Sequence, residues 1–190
     1  MNDLEFRRYD ADGARSMREV VARIHRQAYA AAIEADDPFE SGEEPMRRFD
    51  AYTARDGFEL VVAYDREGTP VGQTWGWPLH SGTPWWRDLI GEIEPGFTEE
   101  NGRRTFALSE LMVAQAFAGR GVGHALHDRL LAPRTEERAT LLVRPENTVA
   151  YRAYLRWGWH KVAQLRPSVP HAPLMDVLIL DLPLAQSNTR

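Results

Sequence analysis

The sequence predicts a single α/β domain. An apolar run over residues 105–113 leads through a glycine-rich turn into an amphipathic helix that begins at Val122. A second apolar run, 139–143, follows that helix, and strand, helix, strand in this order indicates a right-handed parallel crossover. Two further runs, 58–64 and 71–77, are separated by turn residues, as in a hairpin. One predicted pair of strands is therefore parallel and the other antiparallel.

Composition restricts the class of protein. With 190 residues, 43% of them hydrophobic and 27% charged, the chain resembles an ordinary soluble globular protein. It has no cysteine, which excludes disulfides, thiolate metal sites and a cysteine nucleophile. We expect residues 1–183 to form the domain and residues 184–190 to be a disordered tail.

Charge and hydropathy limit the partners. A net charge of −5 argues against a nucleic-acid partner, which would require a concentrated basic surface. No apolar run approaches the roughly 18 residues of a membrane span, and the first residues lack a signal pattern. We therefore expect a cytoplasmic location and no membrane partner. The sequence leaves open whether the chain forms a homodimer.

The remaining elements follow from periodicity and caps. Apolar residues recur every three or four positions from Ala14 to Ala32, which predicts one helix with a buried stripe. Asp10 or Asp12 is the predicted cap of this helix, and His25 is predicted to lie at the boundary of the buried stripe. The other predicted elements are a strand at 4–9, a helix at 45–54, a helix between Asn147 and Gly158, and strands at 159–165 and 174–182. Residues 78–102 are predicted to be irregular, and such a long connection is usually functional or mobile.

Two groups of side chains are candidates for binding a small-molecule ligand. Residues 34–44 hold six acids and no basic residue, among them Glu34 and Asp37. They indicate either a solvated loop or an anionic surface that attracts a cationic amine. Trp75 and Trp77 are candidates for the walls of an acceptor pocket, although aromatic residues at this density more often belong to the core.

His124 and His127 form an H-x-x-H pattern on the helix after the glycine-rich turn. No third ligand has a matching spacing, so we predict no metal.

The glycine-rich turn itself has two interpretations. Gly119, Gly121 and Gly123 can bring backbone N–H groups toward a phosphate at a helix N-terminus, or they can form a tight turn only. The spacing fits neither a dinucleotide-binding fingerprint nor a Walker A loop.

The turn resembles motif A of the GNAT superfamily of acyl-CoA-dependent N-acyltransferases, Gln/Arg-x-x-Gly-x-Gly/Ala after a strand that ends in valine. Gly121, Gly123 and Val113 match this pattern, whereas Ala118 replaces the Gln/Arg. About 24 residues later the chain resembles motif B, Asn-x-x-Ala-x-x-x-Tyr-x-x-x-Gly-Phe. Its matching residues are Asn147, Ala150, Tyr154 and Gly158, with Trp159 in place of phenylalanine.

The resemblance implies a GNAT-type mixed sheet that is flanked by helices and splays open beside the central strand, with acetyl-CoA as acyl donor in the gap. Main-chain groups of the central strand would bind the pantetheine, and the turn would bind the pyrophosphate. The implied cofactor-binding residues are Met112, Val113, Ala118, Gly119, Arg120, Gly121, Val122, Gly123, His124 and Asn147.

The resemblance also implies two catalytic residues. Tyr154 matches the family tyrosine that protonates the departing thiolate; alternatively, it packs against the cofactor only. Glu110 lies where some GNAT members carry an acid, and it is the candidate base that takes a proton from the amine. The alternative for Glu110 is a structural acid paired with Arg103, Arg104 or a neighbouring strand. In that case Glu34 and Asp37, acting through water, are the candidate bases.

The implied function is transfer of an acetyl group directly to a primary amine, with a small cationic or aromatic amine favoured as acceptor. Two alternatives remain open: a non-catalytic acyl-CoA-binding or sensing module, and a protein N-terminal acetyltransferase. Fold similarity does not distinguish among acceptors.

Overall fold

The computed structural model describes residues 4–184, so the tail predicted over 184–190 lies almost wholly outside the described residues. The strands are β1 Glu5–Tyr9, β2 Glu59–Tyr64, β3 Pro70–Pro78, β4 Thr105–Val113, β5 Arg138–Val143, β6 His160–Leu165 and β7 Met175–Asp181. The α-helices are α1 Ala11–Ser16, α2 Arg18–Ala28, α3 Ala30–Glu34, α4 Glu44–Tyr52, α5 Val122–Leu131 and α6 Thr148–Arg156.

The strands form a seven-stranded, mostly antiparallel sheet in the order β1-β2-β3-β4-β5-β7-β6. β4 and β5 are parallel, with Thr105 opposite Arg138, and α5 connects them along the chain. The predicted mixed α/β class and its crossover are therefore confirmed. The splaying of the sheet beside β4 stays a prediction.

The chain divides into two compact units. The first comprises the chain up to Trp77 together with Leu108–Ala132, and the second comprises Pro78–Ala107 together with the chain from Pro133.

In the first unit, β3 lies close to both α5 and the end of β4. A Cβ added to Gly72 of β3 would lie 2.9 Å from Leu126 Cδ1 and 3.0 Å from Met112 O. Because real Cβ atoms do not come so close to other atoms, only glycine fits here without a shift. The absence of a side chain at Gly72 therefore lets β3 approach both α5 and the end of β4 closely.

In the second unit, the irregular segment between β3 and β4 is anchored by a buried acid. Glu100 Oε1 accepts hydrogen bonds from Trp86 Nε1 at 2.9 Å, Thr105 Oγ1 at 2.7 Å and Arg138 Nη2 at 3.4 Å. The Arg138 guanidinium also lies 4.3 Å from the centre of the Phe97 ring. This part of the long connection is therefore packed.

The single helix predicted over 14–32 is wrong: the structure breaks it at Met17 and Tyr29 into α1, α2 and α3. Val21 and Ile24 of the predicted apolar stripe are nevertheless buried, whereas Ala31 at its end is exposed. No glycine or proline marks either break, which explains why periodicity alone predicted one helix. Asp10 is the N-cap of α1, since its side chain accepts from Gly13 N at 2.9 Å.

Candidate active site

The glycine-rich turn connects β4 to α5 and has the backbone that its glycines permit. Gly119 has φ 72°, and Gly121 has φ 80° as the N-cap of α5. Both are left-handed backbone conformations that residues with a Cβ rarely adopt. Gly123 differs from the expectation for the turn, because it lies inside α5 and needs no positive φ.

This turn can hold an anion. A Cβ built at Gly119 would meet nothing within 4 Å, so a ligand can approach the backbone there. Gly121 has no side chain with which to cap α5, and the first-turn N–H groups, beginning with that of Val122, can therefore point to a ligand. Arg120 is exposed beside the turn, 5.4 Å from the centre of the Phe117 ring. These features fit a phosphate group.

Three side chains of α5 with metal-binding donor atoms lie together after the turn. Asp128 Oδ1 is 2.8 Å from His127 Nδ1 and 3.6 Å from His124 Nε2. Burial works against ionisation of Asp128, but the hydrogen bond from His127 and the charge of His124 hold its pKa below the ordinary value. The H-x-x-H spacing alone did not reveal Asp128 as a third donor.

Glu110, the candidate base, lies on β4. Its carboxylate Oε1 accepts a hydrogen bond from the Tyr29 hydroxyl at 3.0 Å, and its main-chain oxygen accepts one from Thr74 Oγ1 at 2.8 Å. Burial raises the pKa of the Glu110 carboxyl to about 7, and the negative charge of Glu40 adds to that effect. A carboxyl with this pKa is near half ionisation at neutral pH. The sequence did not indicate Tyr29 as its partner.

The acidic run 34–44 divides into exposed and buried acids. Glu34 and Asp36 are exposed and Asp37 is half-buried, as a solvated loop requires. Glu40 is buried at 6% exposure, so it is neither in a solvated loop nor on an anionic surface. The apolar Phe39 beside it is also buried, and this neighbour is the one signal in the sequence for the burial of Glu40.

Glu40 contacts two other buried side chains. His25 Nε2 lies 3.1 Å from Glu40 Oε2, and Arg48 Nη2 lies 3.6 Å from the same oxygen. His25 is only 5% exposed, so its predicted place at the boundary of the buried stripe is wrong. Its ring centre lies 5.0 Å from that of Tyr29, which connects this cluster to the partner of Glu110.

Trp75 and Trp77 lie in the aromatic core of the first unit. Trp75 is 2% exposed and packs edge-on against Phe49, with ring centres 5.2 Å apart. Trp77 is 5% exposed and stacks on Tyr52 at 4.7 Å. These contacts favour the core alternative over walls of an acceptor pocket.

In the second unit, α6 has the predicted caps. Asn147 Oδ1 accepts from Ala150 N at 3.2 Å, and Gly158 takes φ 94° after the helix ends. Tyr154 is buried, with its ring edge-on to Trp157 at 5.6 Å and to Trp159 at 6.0 Å. Burial of this phenol among aromatic rings suits either a proton donor in an apolar site or a packing residue.

A second tyrosine on α6 has a different environment. The Tyr151 hydroxyl donates to Asp176 Oδ2 at 2.9 Å. Burial is the larger cause and this hydrogen bond the smaller cause that together raise the pKa of Tyr151 to about 12. Tyr151 is therefore bound to a carboxylate, and it provides an internal comparison for Tyr154.

The sequence profile of the acetyltransferase (GNAT) family matches residues 25–159, more than half of the chain. This protein belongs to the GNAT family. No curated protein matches the sequence significantly.

Solved structures of other GNAT-type enzymes show the same fold. The GCN5-related N-acetyltransferase from Kribbella flavida has 20% identity and a TM-score of 0.57, over 95% of this chain and 98% of that one. Ard1 from Thermoplasma volcanium has 16% identity and a TM-score of 0.61, over 95% and 99%. The IAA acetyltransferase from Bacillus cereus has 13% identity and a TM-score of 0.60, over 94% and 99%. At these identities the likeness shows the fold alone.

GNAT members generally use acetyl-CoA, and the turn of this family member fits a phosphate-bearing donor. Within residues 4–184, no helix combines the length and apolar character needed to cross a membrane.

Proposed function

We propose that this GNAT protein transfers the acetyl group of acetyl-CoA directly to the nitrogen of a primary amine. The observation that carries the proposal is Glu110, a carboxyl on the central strand that accepts a hydrogen bond from the Tyr29 hydroxyl at 3.0 Å and whose pKa burial raises to about 7. An amine is mostly protonated at neutral pH and must lose a proton before it can attack. A carboxyl near half ionisation can take that proton and release it again.

Acetyl-CoA would supply the acetyl group as a thioester, and the chain's own residues would manage the protons. The Glu110 carboxylate takes one proton from the substrate ammonium, and the amine nitrogen forms a bond to the acetyl carbon. As the carbon–sulfur bond breaks, the leaving sulfur takes a proton, and the resemblance to GNAT motif B assigns that proton to the Tyr154 hydroxyl. The remaining excess proton on the nitrogen restores the tyrosine, and the product is an amide.

The glycine-rich turn is the proposed donor site. Main-chain groups of Met112 and Val113 would bind the pantetheine as an added strand does. The pyrophosphate would lie against the turn, which has open backbone at Gly119 and a helix N-terminus at Val122. The other residues of this proposed donor site in the first unit are Ala118, Arg120, Gly121, Gly123 and His124. The resemblance to motif B separately implies a cofactor contact for Asn147.

The proposed acceptor is a small cationic amine. Glu34 and Asp36 are exposed and Asp37 is half-buried, so they can attract a cation at distances of up to about 10 Å at 0.1 M salt. Since Trp75 and Trp77 are packed in the core, the preference for a cation rests on these charges. A small molecule also suits the net charge of −5, which disfavours nucleic acid.

A thiol-release assay with acetyl-CoA tests this function across polyamines, aromatic amines and peptides with free N-termini. We expect release with a cationic small amine, and kcat/KM should fall about tenfold per pH unit below pH 7. Glu110→Gln should lower kcat by roughly 10²-fold or more. Binding of acetyl-CoA without thiol release from any amine would instead support a non-catalytic module, and release with peptides alone would support an N-terminal acetyltransferase.

The acceptor preference has its own test. Asp36→Asn/Asp37→Asn and an increase in salt should each lower kcat/KM for the best cationic amine. If neither changes kcat/KM, the acidic run has no part in substrate capture.

A further inference from the structure

The first unit contains a charged cluster that the proposed reaction does not use. It consists of His25, Glu40 and Arg48, which are 5%, 6% and 9% exposed. The Glu40 carboxylate lies within 3.6 Å of both basic side chains. Arg48 Nη1 also donates to Phe39 O at 2.7 Å. Burying charges costs several kcal/mol per ion and is tolerated only where partners and hydrogen bonds compensate, so the arrangement is not a casual surface ion pair.

This cluster lies near Glu110. Tyr29 links them, because its hydroxyl donates to Glu110 at 3.0 Å while its ring lies 5.0 Å from that of His25. The groups whose charge or hydrogen bond acts on the Glu110 carboxyl are His25 and Tyr29 from α2 and its cap, Glu40 from the acidic run, and Arg48 from α4. The charge of Glu110 in turn acts on Tyr52 of α4.

The groups act on Glu110 with opposite signs. Negative Glu40 favours the protonated carboxyl, whereas positive Arg48, the Tyr29 hydrogen bond and His25 favour the carboxylate. A base with too little affinity for a proton cannot remove one from an ammonium. One with too much affinity is already protonated and cannot accept another. The balance between Glu40 and Arg48 therefore bears directly on turnover.

We propose that Glu40 is a positioning residue that acts through its charge to favour the protonated form of Glu110, while Arg48 holds Glu40 and limits that effect. This inference rests on the proposed function, in which Glu110 is the base. The inference assigns a role to Glu40, a buried member of the acidic run. It also assigns a role to Arg48 on α4, a helix that does not supply a reacting group.

Two substitutions with opposite expected effects test the proposal. In Glu40→Gln, the acid limb of the kcat/KM profile should move to lower pH by roughly 0.5 to 1 unit, as expected for loss of a nearby buried charge. In Arg48→Met, the limb should move to higher pH. Glu43→Gln is the matched control, since it removes the same charge from an exposed position in the same acidic run and should leave the limb unchanged.

A second measurement does not need turnover. The protein is labelled with ¹³C at glutamate carboxyls, the Glu110 signal is assigned from its loss in Glu110→Gln, and its titration is followed by NMR. The Glu110 midpoint should move down in Glu40→Gln and up in Arg48→Met. Arg48→Lys, which keeps the charge, should leave the midpoint within about 0.3 units of wild type.

These outcomes separate the inference from the proposed function. If no amine is acetylated but the NMR midpoints move as expected, the function is wrong and the charge effect stands. The cluster is structural and the proposal is overturned if the Glu110 midpoint is the same in Glu40→Gln as in Glu43→Gln. It is also overturned if Glu40→Gln and Arg48→Met both move the Glu110 midpoint in the same direction. Should Arg48→Met fail to fold, the comparison of Glu40→Gln with Glu43→Gln decides alone.

Discussion

Relative to the wild-type protein, the Glu110→Gln variant should gain stability as the pH rises. Burial and Glu40 raise the pKa of this carboxyl from 4.5 to about 7 in the folded protein. The folded state thus keeps its proton to a higher pH than the unfolded chain does. The stabilisation from this proton is complete below pH 4.5 and is lost as the pH rises through about 7. Glutamine has no proton to lose.

The size of the effect follows from the shift. One pKa unit corresponds to about 1.4 kcal/mol, so ionisation of Glu110 should remove about 3 kcal/mol of stability between pH 4.5 and 8. The free energy of unfolding of Glu110→Gln, minus that of wild type, should therefore rise by up to this amount over the same range.

Urea unfolding of both proteins at closely spaced pH values measures this difference. Taking the difference cancels the other titrating groups, provided that they are unchanged. Glu67→Gln is the control, because it makes the same substitution at an exposed turn residue and should give a flat difference. A flat difference for Glu110→Gln too would refute the raised pKa of this half-buried carboxyl and with it the main support for Glu110 as base.

Three further outcomes are expected. Tyr154→Phe should lower kcat by about 10²-fold or more and leave acetyl-CoA affinity nearly intact. Tyr151→Phe is the control and should keep kcat within a few-fold of wild type. If the two variants lower kcat equally, Tyr154 is only a packing residue. Gly119→Glu should abolish thermal stabilisation by acetyl-CoA through charge and bulk at the turn, whereas Gly82→Glu, also at positive φ in open space, should retain it; calorimetry with and without acetyl-CoA measures both. Glu100→Ala should cost about 3–5 kcal/mol of unfolding free energy in urea, since its buried arginine partner loses its counter-charge, and a cost under 1 kcal/mol would contradict that packing.

The amino-acid sequence by itself determined the local elements and the family. β4 has the predicted bounds, Thr105–Val113, and α5 begins at Val122 as predicted. The caps at Asn147 and Gly158 were also predicted correctly. Each depends on residues within a few positions of one another, through apolar period, side-chain capping or the φ that glycine permits. The GNAT motifs are short patterns of the same local kind.

Only the tertiary structure decided the surroundings of the candidate base. Tyr29, which donates to Glu110, is 81 residues away along the chain. Glu40 belongs to a run of acids that composition predicts to be solvated, yet packing of Phe39 and pairing with Arg48 hold it inside. Burial and long-range electrostatics depend on which segments fold against each other. A carboxyl's proton affinity is set by that assembled environment, and no local pattern of residues encodes it.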